Sequence, residues 1–204
     1  AGAEFEGLPS LEAIEMGVSG VLEQMDMGRD RAAVIAIGDT AVLLQSLTAD
    51  PQAVLAAVRL VAMRDDSARL DLGYGKVRKE NSGPLARSRA QVVTLFVTDG
   101  PIMPQLEMAE QQARVLRTEG VLHYGIGIGD LAQHGSLRKI CESGGYRELD
   151  FGGDLIGAFR ALGAVVAPFG DLCLPPDAPT PTVAPRVTPT PEPPISSYLP
   201  VARR

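Results

Sequence analysis

Positive charge is the first thing this sequence is short of. Nineteen Lys and Arg stand against 25 Asp and Glu, a formal net charge of −6. The basic residues are scattered, which argues against nucleic acid as the main partner. Long apolar runs are missing as well: none approaches the roughly 18 residues of a membrane span. The opening residues, Ala1-Gly-Ala-Glu-Phe-Glu6, are acidic and hold no apolar h-region, so they do not read as a signal peptide. They also lack an initiating methionine, which suggests a processed chain or a fragment. Cysteine is scarce. Cys141 and Cys173 allow one disulfide in an oxidising compartment, and two unpaired thiols fit equally well. Signatures of catalysis are absent: there is no Gly-x-Ser-x-Gly turn, and neither cysteine sits in a nucleophile motif. His123 and His134 have no cysteine or carboxylate at short ligand spacing, so no zinc site is expected.

What is present centres on Gln91-Val-Val-Thr-Leu-Phe-Val-Thr-Asp-Gly100. A short, nearly continuous apolar run stopped by turn residues is a strand covered on both faces. Such strands belong to parallel sheets packed between helices. Polar groups that bind ligands in these sheets lie just past the carboxyl ends of the strands, and Asp99 stands there. Taken alone, an Asp-Gly pair is a turn former.

Apolar spacing predicts a helix from Leu11 to Met25, then strands at 31–37 and 40–45 joined through Gly38-Asp39 as a hairpin. Asp50-Pro51 opens a second helix, with Pro51 at its first position. Residues 70–80 read as a weak helix, because Gly73 and Gly75 each cost about 1 kcal/mol relative to alanine. A helix at 105–117, a strand at 121–128, a short helix at 136–142, a strand at 146–151 and a helix at 154–167 complete the series. This order predicts a three-layer α/β/α sandwich over residues 1–170, with a mostly parallel central sheet and one antiparallel edge strand. Residues 171–204 form a separate Pro/Thr-rich tail: ten of the sixteen prolines fall at or after Pro175. Its Thr-Pro repeats predict an extended, disordered stalk of the kind that spaces a domain from a surface.

Two glycine-rich stretches invite a nucleotide reading. Gly125-Ile-Gly-Ile-Gly129 comes after a strand but lacks the last glycine of the dinucleotide fingerprint, and Asp130-Leu-Ala-Gln-His-Gly135 makes a poor helix start. Glycines relieving crowding at a strand end is the plainer account. Gly73-Tyr-Gly-Lys76 lacks the spacing and hydroxyl of a phosphate loop. A nucleotide-dependent α/β enzyme using Gly125–Gly129 is the alternative function.

The arrangement from about Leu11 to Val166 resembles a von Willebrand factor type A domain. The resemblance is carried by Arg29-Asp-Arg-Ala-Ala-Val-Ile-Ala-Ile-Gly-Asp-Thr40, Leu47-Thr-Ala-Asp-Pro51, Arg69-Leu-Asp-Leu-Gly73 and Val97-Thr-Asp-Gly100. Val121-Leu-His-Tyr-Gly-Ile-Gly-Ile-Gly129 and Leu137-Arg-Lys-Ile-Cys-Glu-Ser-Gly-Gly-Tyr146 complete it, before a closing helix. It implies a non-enzymatic protein-binding or adhesion module, secreted or at a cell surface, with a protein ligand as partner. It also implies a metal-ion-dependent adhesion site, in which oxygen ligands from three loops hold a hard cation, usually Mg²⁺, with one position open for a partner's carboxylate. Such sites draw Asp-x-Ser-x-Ser from the first loop, Thr from the second and Asp from the third. Asp99 matches the third. The second position holds Ala68, with Ser67 the nearest hydroxyl. No Asp-x-Ser-x-Ser precedes the first helix, and Ala1 to Leu8 hold no strand. The expectation is a degraded site of Asp99 and Ser67 that binds Mg²⁺ weakly or not at all, with Asp39 and Asp130 in exposed loops of the same rim. A first strand missing from mid-sheet would also leave two internal edges open to self-association. A third reading is a structural spacer acting through the tail and its Tyr198–Val201 patch.

Overall fold

The computed structural model describes residues 11–61, 68–87, 90–100, 105–129, 132, 134–150 and 152–166. The chain order is α1 (Leu11–Leu22), β1 (Ala32–Ile37), β2 (Ala41–Thr48), α2 (Pro51–Val58), α3 (Leu70–Asn81) and β3 (Val93–Thr98). Then come α4 (Leu106–Thr118), β4 (Leu122–Ile128), α5 (His134–Ile140), β5 (Gly145–Leu149) and α6 (Leu155–Val166). The expected α/β alternation holds. The domain boundary at residue 170 and the tail lie outside the described residues.

β3, β4 and β5 form a parallel sheet, with Val93 opposite Leu122 and Tyr124 opposite Gly145. Parallel neighbours need crossover connections, which α4 and α5 supply. β1 and β2 make an antiparallel hairpin, with Ile37 opposite Ala41. The hairpin is not hydrogen-bonded to β3, so the strands fall into a two-stranded and a three-stranded piece. Helices tie the pieces together. Val18 of α1 and Met25 just after it pack against both the α1–α6 cluster over β3 and β4 and the Val54, Leu55 and Val34 cluster over β1. On the opposite face, Ile37 of β1 and Phe96 of β3 share a cluster with Tyr74 of α3 and Leu116 of α4. Successive strand side chains alternate between faces, and β3 obeys this: Val93, Leu95 and Val97 meet α1 and α6, while Phe96 meets α3 and α4.

Two predicted elements come out longer or firmer. β2 continues to Thr48, since its residues stay paired back to Ala32. The weak stretch at 70–80 is a full helix, and packing explains why. A Cβ on Gly73 would lie 2.5 Å from Ile37 Cδ1, so glycine lets α3 settle directly onto β1. That contact buries Leu70 and Tyr74, and Leu70 alone contributes about 1.5–3 kcal/mol, more than the penalty of about 1 kcal/mol for Gly73. Asp50 caps α2 as expected, accepting the Gln52 amide at 2.9 Å. His134, placed in a loop by its sequence context, instead opens α5. Cys141 is a buried free thiol, pushed up to about 12 by burial. Cys173 lies outside the described residues.

His123 is wholly buried in β4. Its Nε2 is 3.1 Å from the Ala113 carbonyl and its Nδ1 is 2.7 Å from Thr94 Oγ1. A carbonyl only accepts, so Nε2 carries the proton and Nδ1 accepts from the Thr94 hydroxyl. Burial holds its pKa below the ordinary 6.5. The unfolded chain therefore binds a proton, on acidification through about pH 6.5, that the folded chain refuses. Stability should fall as the pH drops from there towards the lower folded pKa, by at most about 1.4 kcal/mol per pH unit. Urea denaturation across a pH series measures the slope, and His123→Gln should remove this part of it.

Candidate functional site at the carboxyl rim of the strands

The carboxyl ends of β1 and β3 point the same way. Gly38, just past β1, accepts the Arg69 amide at the head of α3 at 2.9 Å. At the far end of α3, Glu80 accepts the Leu47 amide from the end of β2 at 3.1 Å, and Arg78 pairs with Glu119 beyond α4 at 3.1 Å. From there the chain enters β4, whose first residue lies opposite the first residue of β3. The loops after β1, β3 and β4 thus share one rim with the amino end of α3.

Asp99 stands on that rim and is half-buried. The Thr98 hydroxyl lies 3.3 Å from the Gly100 amide and 3.1 Å from the Gly100 carbonyl, a tight turn that displays the aspartate between them. Its carboxylate accepts no hydrogen bond from the described residues. Asp39 is exposed. Ser67 and Asp130 lie outside the described residues.

The rim's most organised polar pair was not anticipated. Arg69 donates from Nε and Nη2 to the two carboxylate oxygens of Asp71, at 2.9 and 2.8 Å. The Asp71 side chain is only 4% exposed and that of Arg69 is 27% exposed. The guanidinium holds the Asp71 carboxyl below its ordinary range. Spacing of two residues on a helix start gave no motif to read; the signal was a charged pair beside an otherwise apolar Leu70–Tyr74 face.

A Mg²⁺ ion demands near-octahedral oxygen coordination. Among the described residues, no three His, Cys, Asp or Glu side chains come together to hold a metal. Asp99 offers one carboxylate, and Asp71 already commits both oxygens to Arg69. The described residues by themselves do not supply the oxygen set of a protein-held Mg²⁺.

Gly125 and Gly127 serve packing. A Cβ on Gly125 would meet the Phe96 ring at 2.6 Å and Cys141 Sγ at 2.9 Å. On Gly127 it would meet the Tyr146 hydroxyl at 1.9 Å. That hydroxyl sits 2.5 Å from His134 Nδ1, and His134 Nε2 lies 3.8 Å from Glu148, which also pairs with Arg138. The cluster seals the β4–α5–β5 junction. Sequence spacing could not reveal it, because it joins residues of two elements twelve apart.

The von Willebrand factor type A domain family matches residues 9–156, well over half the chain, and the protein belongs to that family. Domains of this family commonly bind other proteins. Among solved structures it resembles the conserved hypothetical protein BatB from Bacteroides thetaiotaomicron, at 14% identity and TM-score 0.64, covering 81% of this chain and 91% of that one. It also resembles manganese-loaded TRAP protein from Plasmodium vivax, at 20% identity and TM-score 0.62, covering 82% and 69%. A third is proximal thread matrix protein 1 from the mussel byssus with a zinc-occupied MIDAS motif, at 19% identity and TM-score 0.61, covering 78% and 40%. Identities this low speak for the fold alone. No curated protein matches the sequence.

Proposed function

We propose that the chain is a non-enzymatic protein-binding module that docks its ligand on the rim around Asp99, with an adhesion site too depleted to hold Mg²⁺ firmly. The observation that carries this reading is the half-buried Asp99, raised on the Thr98 turn at the carboxyl end of β3. Family membership supports it, and structures of similar fold hold zinc in a MIDAS motif or are loaded with manganese. The packed Gly125 and Gly127 weigh against the nucleotide-dependent alternative. The Thr/Pro-rich tail supports a secreted or cell-surface setting in which residues 171–204 space the domain from its anchor.

The test compares the chain with Asp99→Ala for capture of proteins from a cell-surface extract, with and without EDTA. Loss of about tenfold or more in affinity, with an unchanged melting temperature, is expected. Equal capture by both chains, with and without chelator, would take Asp99 and the ion out of the account.

A further inference from the structure

Residues 76–89 are an island of positive charge in an acidic chain. Five of the 19 Lys and Arg stand in this stretch, at Lys76, Arg78, Lys79, Arg87 and Arg89, against Glu80 alone of the 25 Asp and Glu. Elsewhere the basic residues are scattered. Glu80 is already engaged by the Leu47 amide at 3.1 Å. Arg78 pairs with Glu119, whereas Lys76, Lys79 and Arg87 have no acidic partner within ion-pair distance among the described residues. The fold collects these charges at the end of the sheet opposite Asp99. Arg78 and Lys79 lie in the last turn of α3. The chain then turns twice: the Gly83 amide donates to the Glu80 carbonyl and the Ala86 amide to the Gly83 carbonyl, both at 3.1 Å. Arg31, one residue before β1, donates to the Leu85 carbonyl at 2.8 Å and pins the loop at the amino end of that strand. The loop is braced, yet Ser82, Pro84, Leu85 and Arg87 are all exposed, Leu85 by 43%.

We propose that this pole docks on an anionic phospholipid surface, with Leu85 and Pro84 dipping among the headgroups and Lys76, Lys79 and Arg87 lying over lipid phosphates. The helix dipole accounts for Arg78 and Lys79 at the end of α3, and one exposed leucine is ordinary. Neither accounts for the combination. An aliphatic tip is displayed on a braced loop between Lys79 and Arg87, two cations that no carboxylate among the described residues pairs with. A soluble anion would use the cations and leave Leu85 in water. A lipid interface takes both, because its phosphates attract the cations and its acyl boundary accepts the leucine. The charge of the whole chain sets the approach. At a net −6, an anionic surface repels most of the molecule and attracts this end of it. Docking there turns the Asp99 rim away from the bilayer. The pole does not use Asp99, so lipid docking stands or falls separately from the rim reading.

The experiment sediments the full chain with vesicles of phosphatidylcholine alone, and with vesicles in which about a third of the lipid is phosphatidylglycerol. The chain should bind the anionic vesicles and not the neutral ones, and raising the salt from about 0.05 to about 0.5 M should release it. Lys79→Gln combined with Arg87→Gln should weaken binding about thirtyfold, since each cation near such a surface adds roughly fivefold. Leu85→Ser should weaken binding to the vesicles several-fold and leave binding to inorganic polyphosphate unchanged. Both variants should melt at the parent temperature, and Asp99→Ala should bind the vesicles as the parent chain does. Equal sedimentation with both kinds of vesicle, none with either, or no loss in the Lys79 and Arg87 double variant would overturn the proposal. So would an indifferent Leu85→Ser with polyphosphate bound as tightly as the vesicles, since the pole would then be a site for soluble polyanions.

Discussion

Replacing Phe159 with alanine is expected to remove about 3–5 kcal/mol of stability, the cost of deleting a buried aromatic and leaving a cavity. Phe159 is 1% exposed at the centre of the cluster that joins α1 and α6 to β3 and β4. The cavity cannot collapse easily, because α1 is already as close as it can come. A Cβ on Gly17 would sit 2.2 Å from the Phe159 ring, so the ring fills a slot that a glycine was needed to open. For a domain of this size, each kcal/mol lowers the melting temperature by roughly 2–4 °C, so the variant should melt about 6–20 °C lower. Urea denaturation should show the midpoint falling with its slope unchanged. A loss below about 1 kcal/mol would mean that α1 and α6 do not pack as described.

The second large effect is expected from Arg69→Ala. Removing one partner of a buried ion pair leaves an uncompensated charge, typically at about 3–5 kcal/mol. Arg69 is partly exposed and Asp71 nearly buried, so water relieves some of this, and about 2–3 kcal/mol is expected. The pH dependence identifies the cause. In the parent chain Asp71 has a lowered pKa; its contribution is present above the unfolded value near 3.9 and is lost as pH falls through the folded one. In Arg69→Ala the lone carboxylate should instead titrate above its ordinary value, so the variant's deficit should shrink on acidification. Arg69→Ala combined with Asp71→Asn should recover most of the loss at neutral pH. A deficit that ignores both pH and the second substitution would place the cost in α3 packing rather than in the stranded charge.

The elements that could be read from the sequence are those whose periodicity and punctuation agree. The 91–100 run declared a two-faced strand, and Asp50-Pro51 declared a helix start. Residues 70–81 were harder because local propensity and tertiary contact disagree there: Gly73 is poor in an isolated helix and necessary against Ile37. The rim was legible only in part. Asp99 is legible from the end of a buried strand, but the Arg69–Asp71 clamp and the Tyr146–His134–Glu148 cluster depend on side-chain directions that spacing does not encode. Glycines 125 and 127 invite a dinucleotide reading for the same reason. Nothing in their spacing states that Phe96, Cys141 and Tyr146 lean over them.

The measurement that tests the account most directly is a thermal melt of the chain in EDTA and then in excess Mg²⁺ or Mn²⁺. A von Willebrand type A fold with a depleted rim predicts one cooperative transition at the same temperature in all three. An ion bound at about 100 times its dissociation constant would add about 2.7 kcal/mol, raising the transition by roughly 5–10 °C. A rise of that size would contradict the depleted site, and the absence of any cooperative transition would contradict the folded module itself.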